Sequence, residues 1–181
     1  PEQTSFLIGC SGGMDSMLLL HLMSLLCPQN IRAIYIDHQL QKNSADWGRF
    51  VASVCHELNV PCIVQAVQVH NGNLENQART ARYQAYQTHL KANEVLVLAH
   101  HQQDQAETLM LRLLSGAGIH GLAAMQQLDQ RDQLTIWRPL LNVSREQICQ
   151  WVTALNVQNI QDLSNFDTHY DRAWCREELW P

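Results

Sequence analysis

No uninterrupted apolar stretch of this chain reaches the ~18 residues needed to span a bilayer. The longest, Met17 to Cys27, is broken by His21 and Ser24. A membrane-spanning helix is therefore excluded. There is no C-x-x-C pair: Cys10, Cys27, Cys55, Cys62, Cys149 and Cys175 are scattered, and the nine histidines show no zinc-ligand spacing. That excludes a zinc ribbon, a vicinal redox couple and an iron–sulfur site of that spacing. Most of the cysteines stand in apolar surroundings and are expected to be buried free thiols of a reducing compartment. Positive charge is short as well, with 12 Lys and Arg against 17 Asp and Glu, a formal net charge of −5. A protein that grips RNA over its whole surface should be basic. Either nucleic acid is no substrate, or the gripping surface is local or lies outside this segment. The chain also lacks a G-x-x-x-x-G-K-[ST] loop and, after its first strand, a G-x-G-x-x-G. No P-loop lysine is present, and a nicotinamide or flavin reading is weakened. No low-complexity tract argues for disorder. A signal peptide is not evident, but the chain begins at Pro1, which leaves a trimmed N-terminus open.

What remains is a 181-residue chain that is 46% hydrophobic, suited to one α/β domain with room for a small appendage. Strand-like and helix-like stretches alternate. Phe6 to Cys10, Ile31 to Ile36, Cys62 to Val69 and Val95 to Ala99 read as strands. Met17 to Leu26, Ala45 to Leu58, Leu74 to Leu90 and Gln102 to Leu114 read as helices. This rhythm predicts a parallel sheet with helices on both faces, followed by a small helical C-terminal segment. A glycine-rich link at Gly116 to Leu122 leads to a strand at Leu134 to Trp137. Ser144 with Gln147 makes a capping box for a helix over Arg145 to Leu155. Residues 1–125 are expected to form the nucleotide-binding core and 126–181 an extension of it. Ligands of such sheets bind beyond the carboxyl ends of the strands. Ser11, Asp37-His38, His70 and His100-His101 all fall at those ends.

The most informative stretch is Ser11-Gly12-Gly13-Met14-Asp15-Ser16, between the first strand and its helix. Paired glycines let the backbone approach a ligand closely, and the new helix points free N–H groups at whatever sits there. Phosphate suits that loop; a plain strand–helix turn is the competing reading. His100 and Asp104 are about one helical turn apart at the fourth strand's end. They can hold a metal or pair with an incoming amine, or simply be a solvated helix start. Arg79, Arg82 and Tyr86 share a helix face, with Glu75 four residues before Arg79. A surface ion-pair row explains that spacing as well as a functional one does. None of the five tryptophans is assigned to base stacking.

Residues 11–16 resemble the SGGxDS signature of the PP-loop ATP pyrophosphatases, which adenylate a substrate and release pyrophosphate. The resemblance implies that ATP is bound by Ser11, Gly12, Gly13, Met14, Asp15 and Ser16, with Asp15 holding Mg2+. Such enzymes that thiolate tRNA commonly carry cysteine pairs, which this chain lacks. Further blocks resemble the tRNA(Ile)-lysidine synthetases. They are Ile36-Asp37-His38, Asn73-Leu74-Glu75 with Ala78-Arg79 and Arg82-Tyr83, Leu98 to Met125, Arg138-Pro139-Leu140, Asp162 with Ser164-Asn165, and Asp171-Arg172, Arg176 and Pro181. That family joins free L-lysine to the wobble cytidine of isoleucine tRNA (CAU anticodon). The resemblance implies ATP and Mg2+ as cofactors, isoleucine tRNA and L-lysine as partners, and a cytoplasmic location, with a homodimer left open. It implies catalytic roles for Asp15, Asp104, His100 and Arg79, and contacts to lysine or tRNA from Asp104, Arg82, Asp37 and His38. The family's tRNA-binding C-terminal domains are not expected in this segment. Gln103, Ser115, Ala117 and Ala173 depart from the family pattern. An amide-forming nucleotide synthetase, a tRNA thiolase and a non-catalytic nucleotide-binding module remain the alternatives.

Overall fold

The computed structural model describes residues 4–69, 74–116, 124–131, 134–161 and 174–175. Six strands form one sheet: β1 (Ser5–Gly9), β2 (Ile31–Asp37), β3 (Cys62–Ala66), β4 (Glu94–Val97), β5 (Leu128–Arg131) and β6 (Leu134–Trp137), in the order β3-β2-β1-β4-β6-β5. All neighbours run parallel except β5, which pairs antiparallel with β6. Among the described residues the helices that can be given bounds are α1 (Met14–Leu26), α2 (Ser44–Glu57), α3 (Leu74–His89), α4 (Gln102–Leu114) and α5 (Arg145–Ala154).

Alternation along the strands divides the core in two. Ile8, Ala33, Tyr35 and Val97 pack with Met17, Leu18 and Leu20 of α1, Val51, Val54 and Cys55 of α2, and Ile148 of α5. Their neighbours Leu7, Ile34, Ile36, Leu96 and Ile136 point the other way, onto Ala85 and Tyr86 of α3. Strands buried on both faces cannot alternate apolar with polar, which is why β1, β2 and β4 read as continuous apolar runs. No helix among the described residues is long and apolar enough to cross a membrane.

The expected parallel sheet is present, and Leu128 to Arg131 adds one antiparallel edge strand to it. Its sequence, Leu-Asp-Gln-Arg, is mostly exposed and carries no apolar pattern to announce it. Two details of the sequence reading need correction. The third strand ends at Ala66 rather than Val69. Of the cysteines, only Cys10, Cys55 and Cys175 are buried; Cys27 and Cys62 are half-buried and Cys149 is exposed. His70, Asn73, Ala117 and nearly all of the tail from Asp162, including Ala173, lie outside the described residues.

At the amino ends of the strands, Arg32 of β2 reaches past β1 to Glu94 of β4. Its Nε and a terminal nitrogen donate to the two carboxylate oxygens at 3.0 and 2.6 Å, and the same terminal nitrogen donates to the His89 carbonyl at 2.9 Å. Burial alone would raise the Glu94 carboxyl. The bonds from Arg32 and from the Lys91 N–H at 2.9 Å outweigh that and hold it below its ordinary range. The pair thus ties three strands to the end of α3. Replacing Glu94→Gln is expected to cost about 2–3 kcal/mol near neutral pH, because charge-assisted bonds are lost and Arg32 is left half-satisfied. A depressed carboxyl stabilises above its unfolded value and loses that contribution as pH falls toward the folded one. The gap between wild type and variant should therefore close in acid, as measured by urea denaturation across pH.

Candidate functional site

The chain's path across the sheet makes the site. From β1 it moves to β2 and β3 on one side, then crosses to β4 on the other, so the carboxyl end of β1 opens between two diverging connections. Such a switch point leaves a crevice. A cavity of about 330 Å³ sits there, lined from β1 by Gly9, Cys10 and Ser11, from β2 by Ile36 and His38, and from the β4 end by Leu98, Ala99 and His100. Asp15 and Ser16 of α1, Arg82, Tyr83 and Tyr86 of α3, and Asp104 of α4 also line it, with Tyr35 of β2 and Trp47 of α2.

The turn into α1 is tightly built. Ser16 Oγ donates to the Gly13 carbonyl at 2.9 Å and accepts from the Ser11 N–H at 3.1 Å, and the two hydroxyls lie 3.2 Å apart. Gly12 has φ +88°, a left-handed conformation, and its carbonyl accepts from the Ile160 N–H at 2.9 Å. A Cβ there would stand 2.7 Å from Ile160 Cδ1, the movable end of a side chain, so it is the left-handed backbone that favours glycine most. Gly9 is required for another reason: a Cβ would meet the Tyr86 hydroxyl at 2.7 Å. Tyr86 is buried, and burial pushes its hydroxyl up to about 12. Gly13 is the N-cap of α1 and supplies no side-chain cap. The first N–H groups of α1 are therefore left for an outside acceptor, with the positive end of the helix dipole behind them.

The start of α4 is closed instead. His101 Nδ1 accepts from the Gln103 N–H at 3.2 Å, while Asp104 Oδ2 accepts from the His101 N–H at 2.9 Å. Because Nδ1 accepts, the neutral ring carries its proton on Nε2. That nitrogen lies 3.6 Å from Asp104 Oδ2 and 3.8 Å from Asp15 Oδ2. A buried imidazole thus stands between two carboxylates from different helices. Burial raises the Asp15 carboxyl; Asp104 pushes in the same direction, and His101 and Arg145 oppose them. Asp15 Oδ1 is buried with no hydrogen-bond partner among the described residues. Burial, then Arg82, lowers the His38 imidazole against an opposing pull from Asp37.

Several residues anticipated from sequence therefore meet at one cavity: Ser11, Asp15, Ser16, His38, Arg82, His100 and Asp104. Gly12 and Gly13 shape its turn. Met14 packs on the core beside Cys149, its sulfur 3.8 Å from that thiol. Asp37 is buried and its Oδ1 accepts from the Gln39 N–H at 2.8 Å, closing its own loop. Arg79 faces a second cavity, with its guanidinium over the Tyr83 ring at 5.1 Å. His101, which joins Asp15 to Asp104, was not singled out as a site residue. The signal was present: His-x-x-Asp at a helix start has the spacing of a capping box.

The sequence family described as the PP-loop domain matches residues 1–181. The chain is 63% identical over 181 residues to the tRNA(Ile)-lysidine synthase of Acinetobacter baylyi, all of this chain and 39% of that protein. It is 47% identical over 182 residues to the tRNA(Ile)-lysidine synthase of Actinobacillus pleuropneumoniae, all of this chain and 43% of that protein. The chain thus spans about two fifths of the length of these curated relatives. Among solved structures, the U34-tRNA thiolase NcsA from Methanococcus maripaludis aligns with a TM-score of 0.72 at 15% identity, over 97% of this chain and 70% of that one. The NH3-dependent NAD synthetase from Campylobacter jejuni aligns at 0.55 and 18% identity, over 87% and 66%. These structural likenesses establish a shared fold.

Asp15→Asn keeps the shape of the side chain and removes its charge. Because the folded carboxyl titrates above its ordinary value, the folded state holds the proton more tightly, and stability falls as pH rises through that raised value. The variant is expected to be more stable than wild type near neutral pH, with the advantage vanishing below the ordinary carboxyl range. Urea midpoints of the two proteins across pH test this; a constant difference would contradict it.

Proposed function

We propose, starting from the fact that this chain belongs to the PP-loop domain family, that it carries the ATP-dependent attachment of L-lysine to C2 of the wobble cytidine of isoleucine tRNA. AMP and pyrophosphate are the by-products. The observation that carries this reading is 63% identity over all 181 residues to a protein named for that product.

In this reading the triphosphate of ATP lies at the Ser11–Ser16 turn, against the uncapped start of α1. The C2 carbonyl oxygen of the cytosine attacks the α-phosphorus, the bond to the bridging oxygen breaks, and pyrophosphate leaves. Arg82, on the cavity wall, offsets the charge that develops on the phosphoryl oxygens. The ε-amine of lysine then attacks C2, and AMP departs with the electron pair of the C2–O bond. That amine arrives as an ammonium and must first give up a proton. Asp104, held by the His101 N–H, is the group we assign to the amine, with His100 beside it.

The donor set fits a magnesium ion. Asp15 Oδ1 is a buried acceptor without a donor among the described residues, and a carboxylate facing phosphate is compatible only with a cation between them. Mg2+ bound chiefly by phosphates and water needs only one or two carboxylates, and no three-ligand cluster occurs among the described residues. Held by Asp15, Mg2+ would supply charge neutralisation for the departing pyrophosphate.

The test uses the full-length protein with labelled lysine, ATP and unmodified isoleucine tRNA. Label should enter the RNA with tRNA-dependent release of pyrophosphate, and Asp15→Ala should slow AMP formation on the order of 100-fold or more. AMP production without RNA would favour a nucleotide-synthetase type of reaction. ATP binding without any AMP would leave only a nucleotide-binding module.

A further inference from the structure

A second cavity, of about 420 Å³, takes its wall from Arg79 of α3, from Thr108 and Arg112 of α4 and from residues of and beside β5. Among the described residues its wall holds Arg79, Arg112, Arg131 and Arg138 with one carboxylate, Asp129, and with Thr108 alongside. Four of the chain's 12 basic residues thus meet in one concavity of a protein whose net charge is −5. Concave clusters of one sign focus potential and attract the opposite charge.

Arg138 makes the case specific. It is only 1% exposed, and a charge so far out of water is costly unless well paired. Its pairing is thin. One terminal nitrogen donates to the Gln126 carbonyl at 2.7 Å, both terminal nitrogens lie 3.4 Å from Asp129 Oδ2, and Nε has no partner among the described residues. Charge-assisted bonds are normally near 2.7–2.9 Å. Thr108 Oγ1 is likewise buried with no partner among the described residues. The cavity therefore presents buried donors in need of an acceptor with several oxygens.

From this geometry we infer that the second cavity binds a backbone phosphate of the RNA substrate, next to the nucleotide that enters the first cavity. The assignment rests on the RNA-modifying function proposed above. Helix α3 joins the two sites: Arg82 and Tyr83 line the first, Arg79 lines the second, and the guanidiniums of Arg79 and Arg131 lie 5.1 and 5.8 Å from the Tyr83 ring centre. The triphosphate of ATP already has its place at the Ser11–Ser16 turn. A base in the first cavity with its own backbone phosphate in the second is an arrangement that a polynucleotide supplies.

The test is fluorescence anisotropy of labelled isoleucine tRNA on the full-length protein over a range of salt concentrations. Arg112→Gln/Arg131→Gln should weaken tRNA binding about tenfold and reduce the slope of log affinity against log salt by about one, the share of one phosphate. Arg131→Gln alone, at an exposed position, should reduce the slope by a smaller amount in the same direction and serves if the double variant fails to fold. Unchanged affinity and slope would overturn the inference. So would a loss of ATP affinity in place of tRNA affinity, which would mean that the arginines hold the phosphates of ATP. Lysine transfer is scored on the same preparations. A wild type that binds tRNA through these arginines but transfers no lysine would remove the proposed function and leave the cavity assignment standing. Normal transfer with unaltered tRNA binding by the variants would remove only the assignment.

Discussion

The passage of the chain from β3 across to β4, on the other side of β1, is the constraint on which everything else depends. It places the end of β1 in the middle of the sheet with loops leaving in both directions, so the turn after β1 faces open space where packed backbone would otherwise lie. Because β1, β2 and β4 all run the same way, their last residues share one rim. Ser11, His38 and His100 come from distant parts of the sequence and reach one cavity for that reason alone. At the opposite rim, Arg32, Glu94 and the end of α3 close the sheet with charge-assisted bonds. One end of the molecule is thus tied and the other is left concave.

Two helices begin at the open rim and are finished differently. α4 satisfies its own first turn through His101 and Asp104. α1 begins at a glycine and caps nothing with a side chain. The contrast is physical: one helix start is closed on its own side chains, and the other leaves its N-terminus uncapped by any side chain, where we propose the triphosphate lies. Between them His101 lies near Asp15 and Asp104 at once, which ties together carboxylates that would repel each other. Burial, more than any neighbour, holds the Asp15 carboxyl above its ordinary range, and such displaced groups cluster at functional sites.

Much of this was legible in the amino-acid sequence, for physical reasons that can be named. Continuous β-branched and leucine runs announce strands covered on both faces, and the spacing of Ser144 and Gln147 gave the start of α5 to the residue. The Ser-Gly-Gly turn and the histidines after β4 could be placed at one rim because parallel topology leaves no other arrangement. What escaped detection lacks a local signal. β5 is polar and short, and only its pairing with β6 makes it a strand. His101 is indistinguishable from His100 until the helix boundary is known to one residue. Arg79 and Arg82 are three positions apart and look equivalent on a helical wheel, yet Tyr83 stands between their environments. The arginine cavity was invisible because its members come from α3, α4 and the β5–β6 hairpin, which no periodicity connects.

The bond from the Ile160 N–H to the Gly12 carbonyl, with the Ile160 side chain against the place a Cβ at Gly12 would take, makes a short turn depend on a distant segment. Gly12 follows β1 and Ile160 follows α5. β1 to β4 and their helices can pack together while that turn still lacks its backing. The conformation of the Gly12 turn is therefore tied to the docking of the segment after α5, and loosening that segment loosens the rim of the cavity without touching the sheet.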